Sequence, residues 1–445
     1  MRVMLARLRE LRRYPSAVAG LAIIAGLMLL ALYAVIAMPY AEAVSLWRGG
    51  DAIWQETPRN AMPAWINALP GRDLPRTIVV DSADSPAYKD TEVSGEITTV
   101  TISLPFRHTS QGFPKEVTVF FRAKFDERRP YLNITWLRPD GSVVRLGERS
   151  VSAVDTYRLS LDDAIRRRLG GTAAEIGLFG GGETVQTATT GEYRLQVTGT
   201  FFEPGADLDV RLVVYGQVYG IAGTDHRRRD ISVALLWGTP LALAFGLLAA
   251  VGSTMTTMII AAIGAWFGRW VDAVIQRITE VNLILPVLPI LIMIGTLYSR
   301  SIWLMLGAII ALSIFSGGIK VYRAMFIQVR EAPYIEAARA YGASPARIVL
   351  LYMIPRVIPV LVPQFVVLIP SFVFLEATLA VLGLGDPILP TWGKVLNDAF
   401  SQGALLKGYF YWVLAPSLLL ILTGLGFAMV GFALDRIFNP RLRQL

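Results

Sequence analysis

The chain has 445 residues, a formal net charge of +8 and a mean hydropathy of +0.50, with 54% of residues hydrophobic. That is too apolar for a soluble domain of ordinary composition. There is no cysteine, which excludes disulfides and thiolate metal sites.

Six uncharged runs carry the apolar character: Ser16–Tyr40, Ile231–Gly268, Val281–Ser299, Ser301–Ile319, Val357–Leu375 and Gly408–Leu434. Each reaches about 20 residues, the length that roughly 30 Å of hydrocarbon requires. Residues 1–40 read as a cytoplasmic tail and the first transmembrane helix. A cleaved signal peptide ending at Ala41-Glu42-Ala43 is the alternative, but the apolar stretch exceeds the roughly 7–15 residues of a typical signal core.

Residues 41–225 differ in character. They hold 24 acidic and 20 basic residues, a net of −4, leaving +12 for the remainder. Alternation at Val117, Val119, Phe121, Ala123 and Phe125, at Leu132, Ile134 and Trp136, and at Tyr193, Leu195 and Val197 predicts half-buried strands. Asp140-Gly141 after Pro139 predicts a hairpin turn. A helix is expected at Ser160–Leu169, capped by Ser160 and Asp163, and a glycine-rich loop at Gly170–Gly182. The expectation is a separate β-rich, sandwich-like domain.

The run Ile231–Gly268 holds 38 residues, read as an interfacial helix Ile231–Thr239 followed by one span, Pro240–Phe267. The alternative is two spans, which would reverse the topology of everything before it. Residues 226–445 thus carry five spans. Positive charge sits at the N-terminus (Arg2, Arg7, Arg9, Arg12, Arg13), in the loop after the fourth span (Lys320, Arg323, Arg330, Arg339, Arg347) and at the C-terminus (Arg436, Arg441, Arg443). Positive charge at span ends marks the cytoplasm. Both termini are therefore placed inside and residues 41–225 outside, and the net charge reflects membrane orientation, not a nucleic-acid partner. Arg227-Arg228-Arg229 runs against the rule.

Between the fourth and fifth spans lies a short helix, about 333–342. Pro333 suits its first turn, Glu336 complements the exposed amides there, and Gly342 suits the left-handed residue beyond it. Ser344-Pro345 is an N-cap followed by proline. At about 13 Å this helix is too short to cross a bilayer, and among basic residues it reads as a docking element.

The pattern Glu336-Ala337-Ala338, then three residues, then Gly342 resembles the cytoplasmic coupling loop of ABC importer permeases. More residues resemble the dipeptide/oligopeptide/nickel branch of that family. Gly223-Thr224-Asp225 with Arg229-Asp230 matches one motif. Trp270-Val271-Asp272, Arg277, Glu280 and Pro286 match a second. Leu375-Glu376-Ala377, Leu382-Gly383-Leu384-Gly385 and Pro390-Thr391-Trp392-Gly393 match a third, and Asn439-Pro440-Arg441-Leu442 resembles the family's ending. The resemblance is close over Gly223–Leu445 and loose over Met1–Tyr40. Two departures stand out: Arg227-Arg228, where the family usually has Leu-Gly, and the whole insertion 41–225.

The resemblance implies a mainly α, six-helix type I ABC importer permease with an inserted extracytoplasmic domain, in a bacterial or archaeal cytoplasmic (inner) membrane. It implies a second homologous permease subunit, two ATPase subunits and an extracytoplasmic solute-binding protein. Tyr334, Glu336, Ala337, Ala338, Arg339, Gly342, Ser344 and Pro345 would form the ATPase-docking coupling element. Asp225, Asp230, Asp272, Arg277, Glu280, Glu376, Gly383, Gly385 and Trp392 are the other motif positions. The solute would be di- or oligopeptides, with nickel or another small solute as alternatives. A membrane sensor whose outer domain binds a ligand is a reading of a different class.

The chain itself is not expected to be an enzyme. Gly393-Lys394 lacks the remainder of a phosphate-binding loop, so ATP and Mg2+ belong on partner subunits. No HExxH or GxSxG motif and no metal-ligand cluster occurs. His108 and His226, the only histidines, are expected at the surface. The spans carry no ionisable residue in their interiors, with Glu280 and Glu376 at span margins; this argues against a proton relay and for external energy.

Overall fold

The computed structural model describes residues 14–95, 97–180 and 186–438. The arginines before Tyr14, the tail after Phe438 and Gly181-Gly182 lie outside the described residues. The chain divides into two compact units, Met1–Arg48 with Val233–Leu445, and Gly49–Ser232.

The first unit is helical. Helix α1 (Pro15–Ala37) packs along the last helix, α11 (Phe410–Phe438), and a Cβ on Gly20 would stand 2.7 Å from the Gly426 carbonyl oxygen. Small residues at such a crossing let two backbones approach. A short α2 (Tyr40–Arg48) follows. Helix α3 (Ile231–Phe267) is one unbroken helix of 37 residues, about 55 Å long. The expected division at Thr239–Pro240 is absent, as is any reversal. Pro240 removes a single backbone hydrogen bond, and the region is braced by Trp237, whose Nε1 donates to the Met38 carbonyl at 3.2 Å and whose ring meets Tyr40 edge-on.

The third and fourth spans are each bent. Helices α4 (Arg269–Ile284) and α5 (Val287–Leu297) meet at a 77° bend, and α6 (Ile302–Ile314) and α7 (Gly318–Arg330) at 51°. Pro286, without an N–H, starts the new helix at the first break. The carbonyls freed at the second are taken by side chains. Asn282 Nδ2 donates to Leu312 and Phe315 at 3.0 and 3.2 Å, and Thr257 Oγ1 to Ile314 at 2.9 Å. Without water, a broken helix needs such partners.

After α8 (Pro333–Ala340), helix α9 runs over Pro345–Leu384, far beyond Val357–Leu375, with wide turns at Ile348–Met353 and Ala380–Leu384. Helix α10 (Trp392–Ser401) precedes α11. Among the described residues four helices are long and apolar enough to cross a membrane, or six if each bent pair is one span.

The second unit is a β-sandwich. Strands β1 (Ile78–Asp81), β9 (Asp207–Tyr215), β4 (Glu116–Lys124) and β7 (Val154–Arg158) form one antiparallel sheet. Strands β2 (Lys89–Ser94), β3 (Ile97–His108), β8 (Gly191–Phe201), β5 (Tyr131–Leu137) and β6 (Val143–Ser150) form the other. The alternating residues read from the sequence point inward, and Val119, Phe121, Ile134, Trp136, Leu195 and Val197 share one core. The Asp140-Gly141 turn joins β5 to β6 as expected, with Gly141 at φ +84°.

Three local expectations in this unit are corrected. The helix near Ser160 is Asp163–Arg168, capped by Asp162, which accepts from Ala164 N at 2.7 Å; Ser160 Oγ instead accepts the Val117 N–H. The glycine-rich stretch contains a helix, Ala174–Phe179, whose Leu178 and Phe179 are buried. His108 is buried rather than exposed, donating from Nε2 to the Gly112 carbonyl at 3.1 Å beside the Phe179 ring.

Candidate functional site

Helix α8 is capped as its sequence dictates. Pro333 occupies the first turn, and Gly342 follows at φ +79°, a conformation costly for any residue with a Cβ. The N–H groups of Gly342 and Ala343 return to the carbonyls of Arg339 and Ala338 at 2.9 and 3.0 Å. That is the paired closure of a Schellman motif. Ser344 Oγ then accepts the Arg347 N–H at 3.4 Å, and Pro345 opens α9.

The two faces of α8 differ. Ile335 is fully buried in an apolar cluster built from α3, α7 and α9, and Ala338 and Ala343 pack against it. Tyr334, Glu336, Ala337 and Tyr341 are exposed, Tyr341 at 92%. Arg339 lays its guanidinium over Trp266 of α3, 4.4 Å from the ring centre. The helix thus has a fixed inner edge and an open outer edge with two tyrosines and one carboxylate.

Helix α7, which leads into α8, is held to α4 by an ion pair. Arg323 of α7 donates from Nε to Asp272 Oδ1 of α4 at 2.5 Å, and from Nη2 to Oδ2. Arg330 Nη1 donates to the Ala265 carbonyl at 2.7 Å, tying the end of α7 to the end of α3. The neighbouring motif residues Arg277 and Glu280 pair at 3.0 Å on the exposed face of α4. Such a pair contributes little, about 0–1 kcal/mol.

The third motif packs the opposite part of this unit. Trp392 is 1% exposed and donates from Nε1 to the Leu235 carbonyl of α3 at 3.0 Å. Gly383, at φ +88°, ends α9, and a Cβ on Gly385 would lie 2.9 Å from that of Ala380. Because α9 runs on to Leu384, Glu376 lies within the helix and not at its margin. It is buried beside a cavity of about 10 Å³, room for one water, that it lines together with Arg300 and Asp386. Asp386 accepts the Ile302 N–H at 3.1 Å, capping α6.

In the β unit, Asp225 is buried and accepts the N–H groups of Arg227 and Arg229 at 2.8 and 2.9 Å, and Arg229 Nε at 2.6 Å. Breaking one side of such a buried pair costs about 3–5 kcal/mol. Arg228 is equally buried, 4.1 Å over the Tyr215 ring and 2.6 Å from Glu116. Two of the three consecutive arginines are therefore neutralised internally, which removes their conflict with the charge rule. Burial pushes the Asp230 carboxyl above its usual range, opposed by hydrogen bonds from Ser232. The sequence reading missed Asn282, Thr257, Trp266 and Gly238, because each acts through a partner distant in the chain. Among the described residues no group of three or more His, Asp or Glu could hold a metal ion.

Known proteins place this arrangement. Residues 253–444 match the family described as binding-protein-dependent transport system inner membrane component. The chain is 30% identical over 227 residues to a dipeptide transport system permease protein of Alkalihalophilus pseudofirmus, covering 50% of this chain and 72% of that one. It is 30% identical over 222 residues to a putative peptide permease protein of Brucella suis (49% and 72% covered), and 28% identical over 225 residues to a glutathione transport system permease protein of Pectobacterium atrosepticum (50% and 73%). The chain belongs to the family of binding-protein-dependent transport system inner membrane components. It is a multi-pass membrane permease, mainly α, with an inserted β-rich domain.

Proposed function

We propose that this chain is one transmembrane subunit of an ATP-driven importer of di- or oligopeptides, working with a second permease subunit, two ATPase subunits and an extracytoplasmic solute-binding protein. The observation that carries the reading is α8. It is a capped eight-residue helix, anchored by Ile335, with Tyr334, Glu336, Ala337 and Tyr341 exposed. A groove on an ATPase subunit fits that outer edge. Closure of two ATPases around ATP and Mg2+ moves α8, and repacking of helices between two arrangements alternates access to the pathway.

The relatives' names supply the peptide, and the basic residues Lys320, Arg323, Arg330, Arg339 and Arg347 support cytoplasmic termini with the β domain outside. Glu376, buried in α9, serves packing and backbone capping in this reading, with no role as a proton relay. The experiment is uptake of a labelled dipeptide by cells carrying or lacking this chain. Uptake should require the chain, external binding protein and cellular ATP; uptake unchanged by deletion would refute the peptide assignment.

A further inference from the structure

The residues of α8 do not share one role. Arg339 follows Ile335 by four positions, so its stem leaves the same side of the helix, and although the residue is exposed its guanidinium reaches back over Trp266. Trp266, which Arg339 covers, belongs to the last turn of α3 and packs on the apolar cluster that holds Ile335. Nine residues before Arg339, Arg330 holds the carbonyl of Ala265, the neighbour of Trp266. Two arginines from the two ends of this segment grip the same turn of α3. Beyond it α3 breaks at Gly268, at φ +57°, so its gripped turn is a free end and not the middle of a longer helix.

We propose that Arg339 and Trp266 form the joint through which movement of α8 is passed to α3, and that Arg339 is a positioning residue and not part of the surface that meets the ATPase. The proposal rests on the reading of α8 as the docking helix. A guanidinium over an indole face keeps its attraction while the two planes slide or tilt, whereas a hydrogen bond is lost with small changes of angle. The contact therefore suits a moving joint, and Arg330 suits a fixed pivot. Helix α3 is continuous, so displacement at Trp266 shifts the helix as a body.

The test uses the full chain in lipid nanodiscs, alone and with the ATPase subunits that purify with it, read by hydrogen exchange over 333–340 and 258–267. In the chain alone, Arg339→Ala should speed exchange over 333–340 by about two- to fivefold, the size of one exposed cation–π contact, and Trp266→Ala by at least as much, since it also removes apolar packing. The double variant should be no faster than the faster single one, because both remove the same contact. Arg339→Lys and Trp266→Phe, which keep charge and ring, should stay within about twofold of wild type.

In the complex, trapping with ATP and vanadate should change exchange over both segments in wild type. In Arg339→Ala it should change only 333–340, with ATPase recovery undiminished. A response of 258–267 that survives in Arg339→Ala, or a loss of ATPase recovery in that variant, would overturn the joint. Wild type that brings down no ATPase would instead refute the docking reading, while exchange in the chain alone still decides whether the contact holds α8.

Discussion

The Trp392 indole lies against Gly238 so closely that a Cβ there would fall 2.4 Å from Trp392 Cδ1, while Nε1 of the same ring holds the Leu235 carbonyl one turn earlier. A family-motif tryptophan on α10 thus locks into a notch on α3. Gly238→Ala should cost about 1–3 kcal/mol, as overpacking does. The apparent Tm of the detergent-solubilised chain should fall by several degrees, at about 2–4 °C per kcal/mol. An unchanged Tm would mean that the ring has room to retreat.

The Asp272–Arg323 pair joins α4 to α7, the helix that leads into α8. Asp272→Ala or Arg323→Ala leaves a half-buried charge without its partner, at a cost of about 1–3 kcal/mol. The swap Asp272→Arg with Arg323→Asp should recover part of that loss. Thermal unfolding of the four proteins checks this: additive losses in the swap would show that the two side chains act independently.

His108 gives the β domain a pH dependence. Burial holds its pKa below the usual 6.5, with hydrogen bonds to Gly112 and Ser110 opposing. The unfolded chain therefore binds a proton that the folded one refuses. Stability is full above about pH 6.5 and falls as pH drops from there towards the lower folded value. His108→Phe should flatten that slope in the melting of the β domain followed by circular dichroism between pH 7.5 and 5. A slope equal to wild type would assign it to other groups.

Gly342 has no atom within 4 Å of where a Cβ would stand, so substitution there is opposed by backbone conformation alone. Gly342→Ala should cost about 1–2 kcal/mol. Gly342→Asn should cost less, since asparagine tolerates the left-handed region, and Gly342→Val more. ATPase recovered per chain should follow the order Gly, Asn, Ala, Val. Equal recovery for all four would show that the Schellman closure is not needed for docking.

Local chemistry was legible in the chain; distant contacts were not. The end of α8 could be read from Pro333, Gly342 and Ser344 because caps and turns depend on residues a few positions apart. The sandwich core could be read from the alternation around Val119, Ile134 and Leu195, since one face of each strand is buried. The bend at Phe315 could not, because the polar groups that make it tolerable, Asn282 and Thr257, bond carbonyls about 30 and 57 residues away, whereas the bend at Pro286 follows from the proline itself. Arg228 and Arg229 looked like surface charge because Glu116 and the fold of the Asp225 turn are invisible to a charge rule. Arg339 looked like one more docking residue, and only the position of Trp266 separates it from Tyr334 and Tyr341.

The most direct test of the central claim is affinity purification of the tagged chain from its native membrane, wild type against Glu336→Arg. Glu336 is exposed on the outer edge of α8 and makes none of the contacts that anchor the helix, so the variant should fold and insert normally. Wild type should bring down a second permease and ATPase subunits, and Glu336→Arg should retain the permease but lose most of the ATPase. Full ATPase recovery with Glu336→Arg, or none with wild type, would contradict α8 as the site where ATP hydrolysis is coupled to transport.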